Sequence, residues 1–376
     1  MIYLDYAATT PCDEEVVAAM LPFFRDNFAN ASSIDHLPGN LARRAIDDAR
    51  ESVAALAGGH PEDVIFTSGS TEANNLALSV PFRVLSTAVE HPSVLDSFKA
   101  RQIAGDDLVS IDDQGRISIG DLREKLNTAS PTLLGIIATN NETGVEQDIP
   151  SILDSARTVS ALVHFDATQA VGTRRFALER EGIDGISISA HKIYGPKGVG
   201  ALVASSRLRR VIRPLLRGGG HERGLRSGTL NVPGIVGFGV AARLAIEHYS
   251  TRRQALLILR ERFLEALRSA LGDRVAETIT TAQTSPHVLS LRLKGTNARA
   301  LLRAVRDEVA FSLGSACATN KSEPSHVLLA LGLDKRAIAE TIRVSFSAEQ
   351  TTAEVVAAAA IIAAAAESLS GYSIET

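Results

Sequence analysis

Cysteine is scarce in this chain: Cys12 and Cys317 are the two among 376 residues. Two thiols so far apart make no disulfide framework, and no Cys/His spacing suggests a zinc site, so no metal centre is expected. An excess of charge of either sign is also lacking. The 39 basic residues stand against 43 acids, a net charge of −4. That balance gives no bulk electrostatic reason to expect a nucleic-acid or membrane partner. The opening MIYLDYAATTPCDEE carries acids and no apolar core, so it does not read as a signal peptide. The longest apolar run, residues 355–366, is too short to cross a bilayer and reads as a packed helix. Repeats, low-complexity tracts and long linkers are missing too. What remains is ordinary globular composition, 45% hydrophobic and 22% charged, long enough for a large core in two domains. A reducing, cytoplasmic home is expected.

Short runs rich in Val, Ile and Leu read as strands: DVIFTSG, RVLSTAV, TLLGIIATN, LVHFDATQ, GISISA and GALVAS. Helical segments such as PGNLARRAIDDARESVAALAG and PSILDSARTVSA separate several of them. This alternation predicts an α/β fold whose mostly parallel sheet is covered by helices. From Ala241 one long charged helix, AARLAIEHYSTRRQALLILRERFLEALRSAL, is expected to bridge to a smaller α+β unit containing HVLSLRLKG and TIRVSFS.

Open α/β sheets bind ligands beyond the carboxyl ends of their strands. There the chain places Ser68-Gly69-Ser70-Thr71, Glu90-His91, Asn140-Asn141-Glu142, Asp166 with Gln169, and His191-Lys192. Lys192 ends the run in SISAHKIYGPKGVG and opens a Gly- and Pro-rich loop. A lysine with a lowered pKa forms a Schiff base with an aldehyde; taken alone, Lys192 better suits a solvated lysine beside a glycine loop. Asp166 suits a protonated pyridine nitrogen, the pairing that makes pyridoxal phosphate (PLP) an electron sink; taken alone it also suits a helix N-cap. TSGSTEANN either presents backbone amides at a helix start to a phosphate or is simply a capping box. His91 is a candidate to lie flat on the cofactor ring. Asn141 and Gln169 are candidates to hydrogen-bond its phenolic oxygen.

YLDYAATTP, FTSGSTEANN, NNETGVEQDI, HFDATQAVG, SAHKIYGPKGVGAL, GGGHERGLRSGT and GSACAT, in that order, resemble the successive signatures of the NifS-like cysteine desulfurases. That family lies within the PLP-dependent, class V aminotransferase-like enzymes. The resemblance runs from Tyr3 to about Arg343. It implies PLP-dependent transferase fold type I, with a large PLP-binding domain over residues 13–248. A small domain of residues 1–12 and 249–376 would carry a catalytic cysteine loop and a substrate-clamping arginine. Lys192 matches the Schiff-base lysine, Asp166 the partner of the pyridine nitrogen, and His91 the ring-stacking histidine, a candidate proton shuttle as well. Thr71, Ser189 and His191 match phosphate ligands, with Ser70 contributing its backbone. Asn141 and Gln169 match residues that touch the ring. Thr229 matches a phosphate ligand donated by the other subunit of a homodimer.

PLP and a lysine would serve a transaminase or racemase equally well, and Cys317 separates these chemistries. It lies in FSLGSACATNKSEPSHVLLALG, rich in Gly, Ser and Ala, a composition expected of a mobile loop. A thiolate there is the reactive form of the side chain. GSAC matches the family nucleophile, whereas Cys12 is expected to be a small buried residue. The implied reaction converts L-cysteine to L-alanine and leaves a persulfide on Cys317. Its sulfur then passes to an acceptor protein serving iron–sulfur assembly, tRNA thiolation or DNA phosphorothioation. Arg343 matches the clamp for the substrate carboxylate, a task suited to a bidentate fork. Asn30 and Asn141 are expected to help orient the substrate. Two stretches depart from the family: Ala29-Asn30-Ala31 replaces Gly-Asn-Pro, and RVSFSAEQTT lacks the Gly-Arg that follows the clamp arginine. The rival readings are a selenocysteine lyase or a PLP aminotransferase on the same scaffold, or a silent scaffold that delivers a partner.

Overall fold

The structure, a computed structural model, describes residues 1–100, 107–128, 130–313 and 324–369. Cys317 lies outside the described residues. The chain opens with β1 (Ile2–Tyr3) and then builds β2 (Val64–Thr67), β3 (Arg83–Thr87), β4 (Leu108–Val109), β5 (Thr132–Ile137), β6 (Leu162–Asp166), β7 (Gly185–Ser189) and β8 (Gly200–Ala204). Strands β2 to β8 form a seven-stranded sheet in the order β2-β8-β7-β6-β5-β3-β4. β8 runs antiparallel to both β2 and β7, and the other pairs are parallel. The sheet is therefore mixed but mostly parallel.

Every residue of β2 and of β5 to β8 is buried, because helices cover both faces. Neighbouring side chains divide between the faces with the period of two that a strand imposes. Phe66, Leu134 and Val203 join a core built with the helices Leu37–Ala57 and Val232–Glu247. Ile65, Leu133 and Leu202 join one beneath the helix Ser70–Ala77. A further core contains Leu4 and side chains from β10 (Val288–Leu293), β12 (Thr341–Ser345) and the helices Tyr249–Leu271 and Thr352–Leu369. Here β9 (Val275–Glu277), β10 and β12 make an antiparallel sheet, and β11 (Val309–Ala310) pairs with β1. The helix Thr352–Leu369 is apolar and long enough to cross a membrane by length and composition alone. Its Val355, Ala358, Ala359, Ile362, Ala363 and Ala366 are instead buried in this core.

The expected single helix from Ala241 is two helices, Val232–Glu247 and Tyr249–Leu271, separated at His248 with φ −95° and ψ 9°. The Tyr249 hydroxyl and Arg253 Nη1 both donate to the Thr173 carbonyl, at 3.1 and 2.9 Å, which fastens the bend to the sheet loops. The first helix also starts earlier than the charge pattern suggests. Asn231 caps it, and Gly239 lets it approach its neighbour: a Cβ there would lie 2.5 Å from Ala49 Cα.

Strand β2 is a sheet edge, yet its polar backbone is covered. Phe66 N donates to Glu222 Oε2 at 2.8 Å, while Arg50 Nη1 and Arg223 Nη1 donate to Val64 O at 2.8 and 3.1 Å. Arg50 grips the same Glu222 carboxylate at 2.9 and 2.6 Å. This pair, with side chains 11% and 2% exposed, fixes GGGHERGLRSGT against the sheet. Glu222→Ala strands a buried guanidinium and an edge N–H, a loss of about 3–5 kcal/mol. Urea unfolding should show a lowered midpoint with an unchanged slope; an unshifted midpoint would rule out this anchoring role.

Candidate active site

Lys192 ends the short 3-10 turn Ala190–Lys192 that follows β7. Its Nζ donates to the carbonyls of Ala7 at 2.5 Å and Ala8 at 2.8 Å. Residues 7 and 8 belong to YLDYAATTP, so the N-terminal segment meets the lysine directly. Gln169 joins the same carbonyl: its Nε2 donates to Ala7 O at 2.8 Å, and its Oε1 accepts from His287 Nε2 at 3.0 Å. Both ends of the Gln169 amide are thus engaged within the protein.

Asp166, at the end of β6, is 3% exposed. Its Oδ1 accepts from Thr168 N at 3.0 Å and Thr168 Oγ1 at 2.5 Å, and its Oδ2 accepts from Asn74 Nδ2 at 2.8 Å. Asn74 Nδ2 also donates to Ser93 Oγ at 2.9 Å, and Asn74 Oδ1 lies 3.1 Å from His164 Nε2. Ser93 in turn meets His91 Nδ1 twice, through its backbone N at 3.1 Å and its hydroxyl at 2.8 Å. His91 and Asp166, set on separate strand ends, are therefore joined through two buried residues.

The start of the helix Ser70–Ala77 supplies Ser70 and Thr71 beside Gly69, whose φ of 153° and ψ of −179° belong to glycine alone. A Cβ on Gly200 would meet Ile188 O at 2.4 Å and Gly69 Cα at 2.7 Å, and one on Gly69 would meet Ser189 Oγ at 3.6 Å. Small residues thus bring β8, Ser189 and the helix start together, leaving backbone amides and hydroxyls at the positive end of a helix dipole. His191 follows on the same turn, with Nδ1 3.1 Å from Thr9 Oγ1. Glu72 Oε1 accepts from Arg226 Nε at 2.8 Å, which ties the RSGT loop to this helix and leaves Thr229 exposed. Amides and hydroxyls for a phosphate, a buried carboxylate for a ring nitrogen and a lysine for an aldehyde are the donor set that PLP requires. The residues fit that cofactor.

Arg343, in β12, is 2% exposed. Its Nη2 donates to Asp5 Oδ1 at 2.7 Å and its Nη1 to Asn141 O at 2.8 Å. Its buried Nε has no hydrogen-bond partner among the described residues. The ends of the undescribed stretch 314–323 abut the same region. Ser312 exchanges backbone hydrogen bonds with Arg343 at 3.0 and 2.8 Å. Ser325 Oγ donates to Glu142 Oε2 at 2.5 Å, and His326 Nε2 lies 3.0 Å from Glu90 O. Asn30 does not join the group by any contact: it is exposed, and its Oδ1 accepts from Ser32 N at 2.9 Å. Asn74, Ser93, Asp5 and His287 were missed by sequence reasoning. Asn74, Asp5 and His287 sit inside quoted stretches, FTSGSTEANN, YLDYAATTP and HVLSLRLKG, but the partners that define them are distant in sequence.

With this geometry the chain belongs to the aminotransferase class-V family, whose model matches residues 2–357. Among curated proteins it is 41% identical to a cysteine desulfurase of Frankia sp. (strain EuIK1), over 94% of this chain and 88% of that one. It is 40% identical to the cysteine desulfurase IscS of Anaeromyxobacter sp. (strain Fw109-5), over 94% and 89%. Among solved structures a NifS-like protein matches with a TM-score of 0.88 and 32% identity, covering 99% of this chain and all of that one.

Burial controls titration here. It holds the imidazole of His164 down to about 4 against the pull of Asp166. Burial, with Lys192 and Lys197 adding to it, holds His191 to about 4. Burial, then Lys192, Arg343 and Arg260, holds His287 to about 3. Glu90 moves the other way: burial, reinforced by Asp166 and opposed by the Thr87 hydroxyl, pushes its carboxyl up to about 8. The unfolded chain binds protons that the folded histidines refuse, so stability falls as pH drops from about 6.5 toward 4. Glu90, whose folded pKa lies above its unfolded value, contributes stability below about 4.5 that is lost as pH rises through 8. Glu90→Gln should flatten the alkaline loss in thermal melts between pH 6 and about 9 and leave the acid arm intact. A wild-type melting temperature flat across that range would contradict the assignment.

Proposed function

We propose that this chain is a PLP-dependent cysteine desulfurase that moves the sulfur of L-cysteine onto Cys317. The observation that carries the reading is the convergence of Lys192, Asp166 and Arg343 beside the two anchored ends of the segment that contains Cys317. The named desulfurases at about two-fifths identity support it. Bound PLP supplies an electron sink for the pair left when the substrate Cα–H bond breaks. Lys192 anchors the cofactor and carries the α-proton on Nζ. Asp166 keeps a proton on the ring nitrogen, and His91 stacks on the ring. Ser70, Thr71, Ser189 and His191 hold the phosphate, joined by Thr229 from a second subunit, and Asn141 and Gln169 flank the ring. Arg343 clamps the substrate carboxylate beside Asn141, whose carbonyl accepts from it; Asn30, expected there from the sequence, makes no contact with this group.

The transfer balances without an outside oxidant. The Cβ–S bond of L-cysteine breaks and a bond forms between that sulfur and Cys317 Sγ. The former β-carbon gains a proton to become the methyl of L-alanine, so carbon is reduced as the sulfur pair is oxidised. The persulfide then passes its outer sulfur to an acceptor protein in iron–sulfur assembly, tRNA thiolation or DNA phosphorothioation. A homodimer accords with exposed Phe24, Phe28 and Leu37, apolar side chains 64%, 78% and 67% open in the single chain. Residues 13–248 form the PLP-binding domain; residues 1–12 and 249–376 form the small domain. The enzyme is cytoplasmic.

Incubation with L-cysteine should yield sulfide and alanine in equal amounts when a reducing thiol is present. Cys317→Ala should keep the yellow colour of bound PLP and lose sulfide release. Full sulfide release by that variant would favour a lyase, and a colourless reconstituted protein would favour a silent scaffold. Arg343→Lys should raise KM for L-cysteine roughly 10- to 100-fold, because a point charge replaces a fork. An unchanged KM would remove Arg343 from the substrate site.

A further inference from the structure

We infer that Asn74 and Ser93 are positioning residues that join Asp166 to His91 and hold His91 as its Nε2–H tautomer, so that His91 stacks and donates but does not act as a general base. The inference rests on the reading that PLP lies between His91 and Asp166. Its force comes from the direction of each hydrogen bond. The Ser93 backbone N–H can only donate, so at 3.1 Å it requires a lone pair on His91 Nδ1. An ionised Asp166 can only accept, so the Asn74 atom 2.8 Å from its Oδ2 is the amide nitrogen. Asn74 Oδ1 then faces His164 Nε2 at 3.1 Å, and that nitrogen must carry hydrogen. The second Asn74 N–H goes to Ser93 Oγ at 2.9 Å. This leaves the Ser93 hydroxyl hydrogen for His91 Nδ1, 2.8 Å away.

His91 Nδ1 therefore accepts twice, and protonating it would break both bonds. The neutral ring keeps its single proton on Nε2. Asn74 is fully enclosed and Ser93 8% exposed, so water does not readily substitute for either. The surroundings of His91 do not undo the lock: burial above all, with Lys192 and His326, opposes a cation there, against the pull of Asp166 and Asp96. An imidazole whose one lone pair is taken offers no nitrogen to an incoming proton. The α-proton is left to Lys192, and the role of His91 narrows to stacking and hydrogen-bond donation.

The test is long-range proton–nitrogen NMR on the PLP-loaded protein carrying nitrogen-15 histidine, with His91→Gln to assign the signals. Wild type should show an unprotonated Nδ1 and a protonated Nε2 for His91, unchanged between about pH 6 and 8. Ser93→Ala keeps the backbone N–H but removes the hydroxyl bond, so the Nδ1 signal should shift and the ring should begin to titrate in that window, with kcat lowered about tenfold and KM little changed. Ser93→Thr keeps the hydroxyl and should restore both. A protonated Nδ1 in wild type overturns the inference without any variant needing to fold, as does a Ser93→Ala spectrum identical to wild type. Sulfide release by the wild type is scored separately, so failure of the desulfurase reading is distinguishable from failure of this one.

Discussion

The grip of two backbone carbonyls on one ammonium organises the site. Ala7 O and Ala8 O receive Lys192 Nζ, and the segment that offers them is pinned on both sides. Toward β12, Ser345 N donates to Leu4 O and Ala7 N donates to Ser345 Oγ, each at 2.8 Å. Toward the lysine turn, Thr10 N donates to His191 O and Tyr194 N to Thr10 Oγ1, each at 2.9 Å. Asp5, on the same segment, holds Arg343. One extended strap thus sets the distance between the Lys192 amine and the Arg343 guanidinium. Ordering each of its residues costs about 1–2 kcal/mol of backbone entropy. Burial of Leu4 and the hydrogen bonds on both flanks offset that cost.

The strap explains why the buried charges are tolerable. Arg343 is enclosed, but Asp5 and the Asn141 carbonyl take its two terminal nitrogens. Asp166 is enclosed too, and its hydrogen bonds come from neutral groups, Asn74 and Thr168. Neutral donors stabilise a carboxylate without cancelling its charge. That leaves Asp166 the charge that the proposed pairing with a pyridine nitrogen needs. An Arg in place of Asn74 would bind the carboxylate more tightly and cancel that charge.

The sheet was legible because buried, mostly parallel strands read as unbroken Val, Ile and Leu runs, and the polar residues at their ends mark the ligand-binding edge. The break at His248 was not legible, since the charge pattern runs through it and its cause is a pair of bonds to Thr173, far away in sequence. The short strands β1, β9 and β11 left no pattern either; two or three residues are too few to show a period. Lys192, Asp166 and Arg343 stood out as chemical types at strand ends or in a family motif. Asn74 and Ser93 did not, although Asn74 lies in FTSGSTEANN and Ser93 only two residues past His91. Asn74 reads locally as part of a helix start, and what defines it is a carboxylate 92 positions later.

The departure after Arg343 has a physical counterpart. In that stretch, Ser347 places its hydroxyl 2.7 Å from the Tyr194 hydroxyl. Tyr194 lies two residues beyond Lys192 with φ 66°, a left-handed conformation that costs a non-glycine residue roughly 1–2 kcal/mol. The bond to Ser347, the N–H to Thr10 Oγ1 and Arg252 stacked 4.6 Å over the ring offset that strain. Gln350 completes the link, its Oε1 accepting from Ser347 N at 2.9 Å and its Nε2 donating to Tyr3 O at 3.1 Å. The altered segment is therefore woven into the strap and the lysine turn together. This segment forms a second bridge between Arg343 and Lys192, parallel to the one through Ala7.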